Sequence, residues 1–430
     1  MKKIKMGLIG FGNIGTGLVR NLENHKAIIK ERCNCEVELV RIADKDITTP
    51  RNIEYNKNIL TNDVYSVIDD PEIEIIVELI GGLEPARTFI ADSLKKRKHV
   101  ITANKAVLAN FGKELFNLAN ENNVLLLFEG SVGGGIPIIR GLQQGICAND
   151  IKSIKGILNG TCNYILTKMT DEGSSFNTVL KEAQEKGFAE PDPTYDIEGY
   201  DSAHKIAILA SIAFGQEIKY EDVFVNGISG IQSVEISFAK ELGYVIKLLA
   251  IAKSHNGEVE VRVHPTLIPN DNMLASVLGV NNGILVEGDM VGETMFYGRG
   301  AGQDPTSSAI ISDIMAIAQS IIEGGFHKDT RLLSLSNPKK IRPIDKLESS
   351  YYLRFIVIDR PKVMAKISSI LGDHNISIES CIQKGRNVGD YVPLILTTHT
   401  AKEKAIQDAI KEIEKLDIVK EKPFLLRVEE

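Results

Sequence analysis

The sequence predicts an α/β chain of three consecutive units. These are an N-terminal parallel sheet wrapped by helices, a central α+β unit, and a small C-terminal βαββαβ unit. Three observations carry this. Strand-like and helix-like runs alternate through residues 1–130, which produces a parallel sheet with helices on both faces. The texture changes near residue 150, where longer strand-like runs lie between helices of irregular spacing. The tail then reads strand, helix, strand, strand, helix, strand, a split βαβ arrangement. The 430 residues suit two or three domains at roughly 150 residues each.

The elements follow in order. Residues 4–9 form an apolar strand leading into a glycine turn, and Thr16–Lys30 has helical spacing at Leu18, Val19, Leu22 and Ile28. Val37–Ala43 is a buried strand, so strand, turn, helix and strand make a βαβ unit. Further strands are expected at Ile73–Ile80, His99–Thr102 and Val124–Glu129, separated by helices at Glu84–Lys96 and Gly112–Asn122. The second unit, residues 131–300, has expected strands at Ile151–Leu158, Val259–Leu267, Ile284–Glu287 and Glu293–Tyr297. Its helices are expected at Phe176–Lys186, Ser202–Phe214 and Ile236–Lys253. Ser307–Glu323 is an apolar helical run expected to pack back on the first unit, within 300–330. Residues 331–349, polar and holding Pro338 and Pro343, read as a linker to the last unit at 350–430.

Composition narrows the function. The chain has a net charge of −7 and no block of Lys and Arg, which argues against nucleic acid as a partner. No apolar run is expected to approach the roughly 18 residues of a membrane helix, so no membrane partner is expected. The MKKIK start resembles a signal peptide but lacks a small-residue cleavage site. Five scattered cysteines, with Cys33 and Cys35 lacking a second pair at zinc spacing, point to a reducing, cytoplasmic setting.

Gly10-Phe11-Gly12-Asn13-Ile14-Gly15 follows a strand and opens a helix, the context in which G-x-G-x-x-G signals a Rossmann-type dinucleotide site. Gly10 permits the tight turn, Gly12 admits the pyrophosphate, and Gly15 permits close packing, with the helix amides facing the phosphates. Asp44, after the second strand, suits a ribose 2′-hydroxyl and hence NAD. Arg41 and Lys45 beside it suit the extra phosphate of NADP, and the two cofactors stay unseparated.

The densest chemistry lies between Gly187 and Lys205, where Glu190, Asp192, Asp196, Glu198 and Asp201 share a loop fixed by two prolines. Asp201 and Lys205 stand four apart at a helix start and so share a face. A lysine held beside carboxylates is a candidate proton donor to an alkoxide. Thr102-Ala-Asn-Lys105 stands past a strand end, where open α/β sheets bind ligands. The glycine-rich stretch from Glu129 to Pro137 reads as a hinge whose carbonyls could also ring a cation. Gly298–Pro305, with Gly302, could reach the cofactor from the far side. His255, His264 and His327 carry no assigned role.

The ungapped segment Ala183-x-x-x-Gly187-Phe-Ala-x-x-Asp192-Pro-x-x-Asp196-Ile-x-Gly199-x-Asp201-x-x-x-Lys205 resembles the signature of homoserine dehydrogenases. Gly7–Gly15, Thr102–Lys105, Glu129–Pro137, Asn159–Tyr164 and Gly298–Pro305 resemble that family's other blocks, in order, over roughly residues 1–330. The tail resembles an ACT domain, a module that often binds amino acids. The resemblance implies reversible reduction of L-aspartate 4-semialdehyde to L-homoserine with NADP or NAD, a step towards threonine, methionine and isoleucine. It implies Lys205 as acid/base, Lys105 at the nicotinamide and substrate, and Glu190 at the substrate ammonium. Asp201, Asp196, Gly160 and Thr161 would also line the substrate, with Thr102 and Gly187 on the cofactor side. The carbonyls of Glu129, Val132, Gly134 and Ile136 would hold Na⁺, which displaces the hinge reading. A homodimer is implied, with larger assemblies such as a homotetramer possible through ACT pairing, and an amino-acid effector is possible at the ACT domain. Two positions depart from the pattern: Cys162 stands where Thr is usual, and Lys362 where many ACT turns carry Gly.

Two other readings compete. A catalytically silent nucleotide- and amino-acid-sensing protein would not need Lys105, Glu190, Asp201 and Lys205 together. A dehydrogenase of another small aldehyde would not need the whole signature.

Overall fold

The computed structural model describes residues 1–255, 257–324, 339–384 and 389–430. The first unit is a six-stranded sheet of β1 (Lys3–Ile9), β2 (Glu36–Ala43), β3 (Leu60–Thr61), β4 (Ile75–Glu78), β5 (His99–Thr102) and β6 (Leu126–Leu127). The strands lie in the order β3-β2-β1-β4-β5-β6, and every pair is parallel. This is the doubly wound order, and its switch point falls between β1 and β4, where a crevice opens beyond the strand ends. The apolar helix is longer than expected, Gln303–Glu323, and it does pack back here. Its Ile310, Ile314, Ile317 and Ala318 share a buried cluster with Ile4, Met6 and Leu18. By length and composition it is apolar enough to cross a membrane, which corrects the expectation that no run approaches that size. Its buried face instead serves the core of the first sheet.

The rest of the chain forms one large sheet. Its central strands are β7 (Ile151–Ile157), β8 (Phe224–Val225), β9 (Tyr244–His255), β10 (Glu258–Pro269), β11 (Asn281–Gly288), β12 (Gly292–Arg299) and β13 (Lys340–Ile341). The tail adds β14 (Glu348–Ile358), β15 (Ile378–Gln383), β16 (Tyr391–Thr398), β17 (Ala401–Lys402) and β18 (Phe424–Val428). The path runs β12-β11-β7-β9-β10-β18-β14-β16-β15. The helix expected over Ile236–Lys253 is the main error of element type. A helix at Ser233–Glu241 stops at Leu242, Gly243 takes a left-handed φ of 84°, and Tyr244 onward is β9, paired along its whole length with β10. A continuous apolar run buried on both faces has no period that separates strand from helix. Of the predicted linker, residues 331–338 lie outside the described residues, as does His327. Lys340–Ile341 are not linker but a strand paired with β10.

The C-terminal βαββαβ unit is not a separate sheet. β18 pairs in parallel with β10 through Thr266–Arg427 and Leu267–Val428, and Tyr352, Ile395, Leu426 and Val428 join the central apolar cluster. A buried ion cluster seals the junction. Glu429 meets Arg262 at 2.8 Å, Lys253 at 2.5 Å and Lys155 at 3.0 Å, and within the tail Arg427 meets Glu403 at 2.5 Å. Lys362 adopts φ 74°, the left-handed conformation that glycine adopts at least cost, and opens the Val363–Asp373 helix.

Burial alone would raise the Glu429 carboxyl, but Arg262, Lys253 and Lys155 outweigh it and hold it at about 2. Unfolded, the group titrates near 4.5. The folded chain therefore binds fewer protons than the unfolded chain between those values, and the stabilisation is complete above about pH 5 and lost as the pH falls through this window. Glu429→Gln should cost about 3 kcal/mol in urea unfolding at pH 7, because it removes the buried carboxylate that three cations share. It should also flatten the acid limb of the stability profile. A wild-type acid limb retained in the variant would show that the cluster does not act this way.

Candidate active site

Gly10 and Gly15 are packed as their spacing predicts, and Gly12 is open. A Cβ at Gly10 (φ 102°) would stand 2.7 Å from the Leu79 carbonyl carbon, and one at Gly15 only 2.2 Å from the Gly10 oxygen. At Gly12 a Cβ meets nothing within 4 Å, so this is the open face of the turn. Gly12 precedes the Asn13–Asn24 helix, whose first turn carries no acidic residue, so its amides are left for an anion. The Ile14 side chain packs onto the core, leaving its amide as the group it can offer. The Phe11 amide is already taken by Asp44 Oδ2.

Asp44 is therefore more occupied than the sequence suggests. Its Oδ1 accepts from the Asp46 amide at 2.8 Å, and Arg51 stands 3.6 Å away. Arg41 is turned away and donates to Asp70 at 2.9 Å, so it does not face a 2′-phosphate as considered. Lys45 is exposed. Arg51, which sequence reasoning missed, is the nearby cation. Its guanidinium lies 5.2 Å from the Phe11 ring centroid and bonds the Phe11 carbonyl at 3.2 Å. It is seven residues beyond Asp44 in a polar loop, with no motif to single it out. Gly302 (φ 120°) precedes the Gln303–Glu323 helix, and Gln303 donates to the Asn13 carbonyl at 2.8 Å. This places the Gly298–Pro305 segment against the glycine turn.

The catalytic candidates converge on Asp201. The Tyr200–Phe214 helix begins after Gly199 (φ 84°) and carries Asp201 in its first turn, with Lys205 one turn on. Lys205 Nζ donates to Asp201 Oδ2 at 2.7 Å and to the Leu158 carbonyl at 2.6 Å. Lys105 Nζ, from the first unit, stands 3.1 Å from Asp201 Oδ1. Asn159 donates to Asp201 at 2.9 Å and Asp196 at 2.7 Å. Burial works to raise the Asp201 carboxyl, yet the Lys205 and Lys105 charges hold it far below the usual range. Asp196 moves the other way, raised by burial and by Asp201. One carboxylate is fixed as an anion between two ammonium groups, while burial and that anion push its neighbour's carboxyl upward. The Lys205 side chain is 9% exposed and that of Lys105 33%, so Lys105 stands at the mouth.

Around this centre, Thr161 donates to the Phe188 carbonyl at 2.6 Å, and a Cβ at Gly160 would stand 2.7 Å from the Val280 oxygen. Glu190 lies exposed on the loop after the Phe176–Glu185 helix, and Gly187 (φ 73°) turns that loop. Cys162 caps inward, its amide held by Asn159 at 2.8 Å and its Sγ 3.1 Å from the Asp196 carbonyl. Tyr195 and His204 were not predicted as site residues. Their 3.0 Å contact brings the Tyr195 ring to 5.6 Å from Lys105 Nζ.

Glu129, Val132, Gly134 and Ile136 lie on one buried turn. The Glu129 carboxylate is spent on the Ile139 and Arg140 amides, each at 2.9 Å, and its amide donates to Asp313. The Ile136 carbonyl accepts from Ile138 at 2.8 Å. Among the described residues, no group of three or more His, Cys, Asp and Glu side chains is placed to hold a metal ion.

Comparisons with known proteins agree with this geometry. The family model for homoserine dehydrogenase matches residues 137–315, that for the homoserine dehydrogenase NAD-binding domain residues 10–129, and that for the ACT domain residues 351–417. A homoserine dehydrogenase of Synechocystis sp. is 44% identical over 99% of both chains. A crystal structure of a homoserine dehydrogenase from Thiobacillus denitrificans, 42% identical, superposes with a TM-score of 0.92 and covers 100% of this chain and 99% of that one. A hyperthermophilic archaeal homoserine dehydrogenase in complex with NADPH, 27% identical, gives a TM-score of 0.63 over 74% of this chain and 98% of that one. A dinucleotide turn, a carboxylate holding two lysines and full-length relatives under one name converge, and the chain belongs to the homoserine dehydrogenase family of NAD(P)-dependent oxidoreductases.

Proposed function

We propose that this enzyme interconverts L-aspartate 4-semialdehyde and L-homoserine at the cleft between the glycine turn and the Asp201 cluster. The observation that carries the reading is the Asp201 carboxylate bridging Lys105 and Lys205. The turn from Gly10 to Gly15 would hold NAD(P)H, which would supply the hydride. The chain must orient the aldehyde and stabilise the oxygen that becomes an alkoxide. Two ammonium groups against one ionised carboxylate leave net positive charge beside that oxygen, in a largely dry site where it counts most. Lys205 is the acid/base, its ammonium aimed by Asp201 and Leu158, and Lys105 polarises the carbonyl oxygen from the mouth. Glu190 takes the substrate ammonium, and Asp196, Gly160 and Thr161 shape the pocket. The silent-sensor alternative does not account for burying a lysine–carboxylate pair at this cost.

A monovalent cation fits the Glu129–Ile136 turn. Neutral carbonyl oxygens can replace such an ion's hydration shell. The Asn282 amide, buried with neither polar atom partnered, presses against Gly300, which itself packs on Gly134. The carbonyls of Glu129, Val132, Gly134 and Ile136 would hold Na⁺ and fix that turn. A homodimer through the central unit and an amino-acid effector at the C-terminal unit complete the proposal, as does a cytoplasmic setting.

The direct test follows NADH and NADPH oxidation side by side with aspartate semialdehyde, with and without threonine. Turnover with either nucleotide is expected, and binding without turnover would favour the sensor. Lys205→Ala should lower kcat by about 10²-fold or more while NAD(P)H affinity stays near wild type. Equal activity would remove Lys205 from the mechanism. Glu190→Gln should chiefly raise KM for the amino-acid substrate; lost kcat at unchanged KM would assign it another role. Gly12→Ala should fold normally and bind NAD(P)H weakly, whereas Gly15→Ala should lower stability, because its Cβ has no room. The reverse pattern would misplace the cofactor.

A further inference from the structure

We propose that Glu78, a residue outside the site as described so far, is a positioning residue that sets the place of Lys105. It is the last residue of β4, at the switch point of the first sheet, and only 1% exposed. A carboxylate there is costly unless its oxygens are bonded. Glu78 Oε2 accepts from Thr102 Oγ1 at 2.7 Å and Oε1 from the Ile80 amide at 2.7 Å. The Thr102 hydroxyl, its proton given to Glu78, accepts from the Asn104 amide at 3.0 Å. Asn104 then works twice. Its Nδ2 donates to the Gly82 carbonyl at 2.7 Å, and its Oδ1 accepts from Val107 at 3.2 Å, capping the helix whose first residue is Lys105. The chain of bonds runs from Glu78 through Thr102 and Asn104 to the helix start, and Lys105 ends it at Asp201.

The same carboxylate steadies the other side of the crevice. Leu79 donates to the Ile9 carbonyl at 2.7 Å, and Gly10 turns close against Leu79 and Ile80. By holding the Ile80 amide, Glu78 fixes the strand end on which the glycine turn rests. A single buried carboxyl group thus links the glycine turn to Lys105. A neutral glutamine cannot do both jobs, since its NH₂ cannot accept the Thr102 proton. Burial pushes the Glu78 carboxyl upward, against the hydrogen bonds that favour its ionised form.

This inference rests on the reading that Lys105 serves catalysis, and the test separates the two. In the full-length enzyme, Glu78→Gln should lower kcat by about ten-fold or more, since small displacements of a reacting group cost that much. KM for aspartate semialdehyde should move less than kcat. The decisive measurement is Glu78→Gln in a Lys105→Ala background, where the kcat loss should shrink several-fold, leaving only the part carried by the Ile80 amide and the glycine turn. An undiminished loss there would overturn the proposal, as would full activity of Glu78→Gln in the Lys105 enzyme. Normal kcat in Lys105→Ala alone would instead sink the role given to Lys105. Should Glu78→Gln fail to fold, Asn104→Ser keeps the helix cap, breaks the Gly82 bond, and should show the same dependence on Lys105. Equal losses with and without Lys105 would again overturn the proposal.

Discussion

Everything in the catalytic region depends on one buried carboxylate holding two ammonium groups that come from different parts of the fold. Asp201 and Lys205 share a helix, so their pairing is local, but Lys105 arrives from the end of β5 in another sheet. Removing Asp201 would leave the buried Lys205 ammonium without its carboxylate, which costs several kcal/mol. The two units are therefore joined by the same contact that the proposed chemistry uses.

The fold was legible where a local rule governed it. Gly10, Gly12 and Gly15 were readable because turn, ligand approach and helix packing each exclude side chains at fixed spacing. The Asp201–Lys205 pair was readable because four residues make one helical turn. Lys105 was placed by a topological rule, that ligands bind beyond strand ends. The short β3 was not legible, since two residues in a polar loop carry no period. β9 was misread because burial on both faces erases the alternation that marks a strand. Glu78, Arg51 and Tyr195 stayed hidden for another reason. Each acts through contacts 24 or more residues away in sequence, or across a ring face, and neither leaves a spacing signature.

Cofactor choice shows the same limit. The sequence offered Asp44 against Arg41 and Lys45, a contest between residues adjacent in the chain. The structure removes Arg41 to Asp70 and brings Arg51 to the Asp44 side. The Asp44 carboxylate has become part of the turn, bonded to the Phe11 amide. Arg51 is held in a folded loop by the Asp46 and Phe11 carbonyls.

The C-terminal unit obeys a stricter constraint than a tethered module would. Its last strand lies between β10 and β14, so a hydrogen-bonded ladder runs from the tail into the central sheet. Lys155 on β7 reaches Glu429, and three residues further along the same stretch the Leu158 carbonyl receives Lys205. A loosely docked domain can shift on its linker at little cost. Here any displacement must shear β18 against β10 and pull a buried carboxylate away from three cations. The ion cluster and the active site are thus joined by a single strand, and the rigidity of that strand sets how independently either can move.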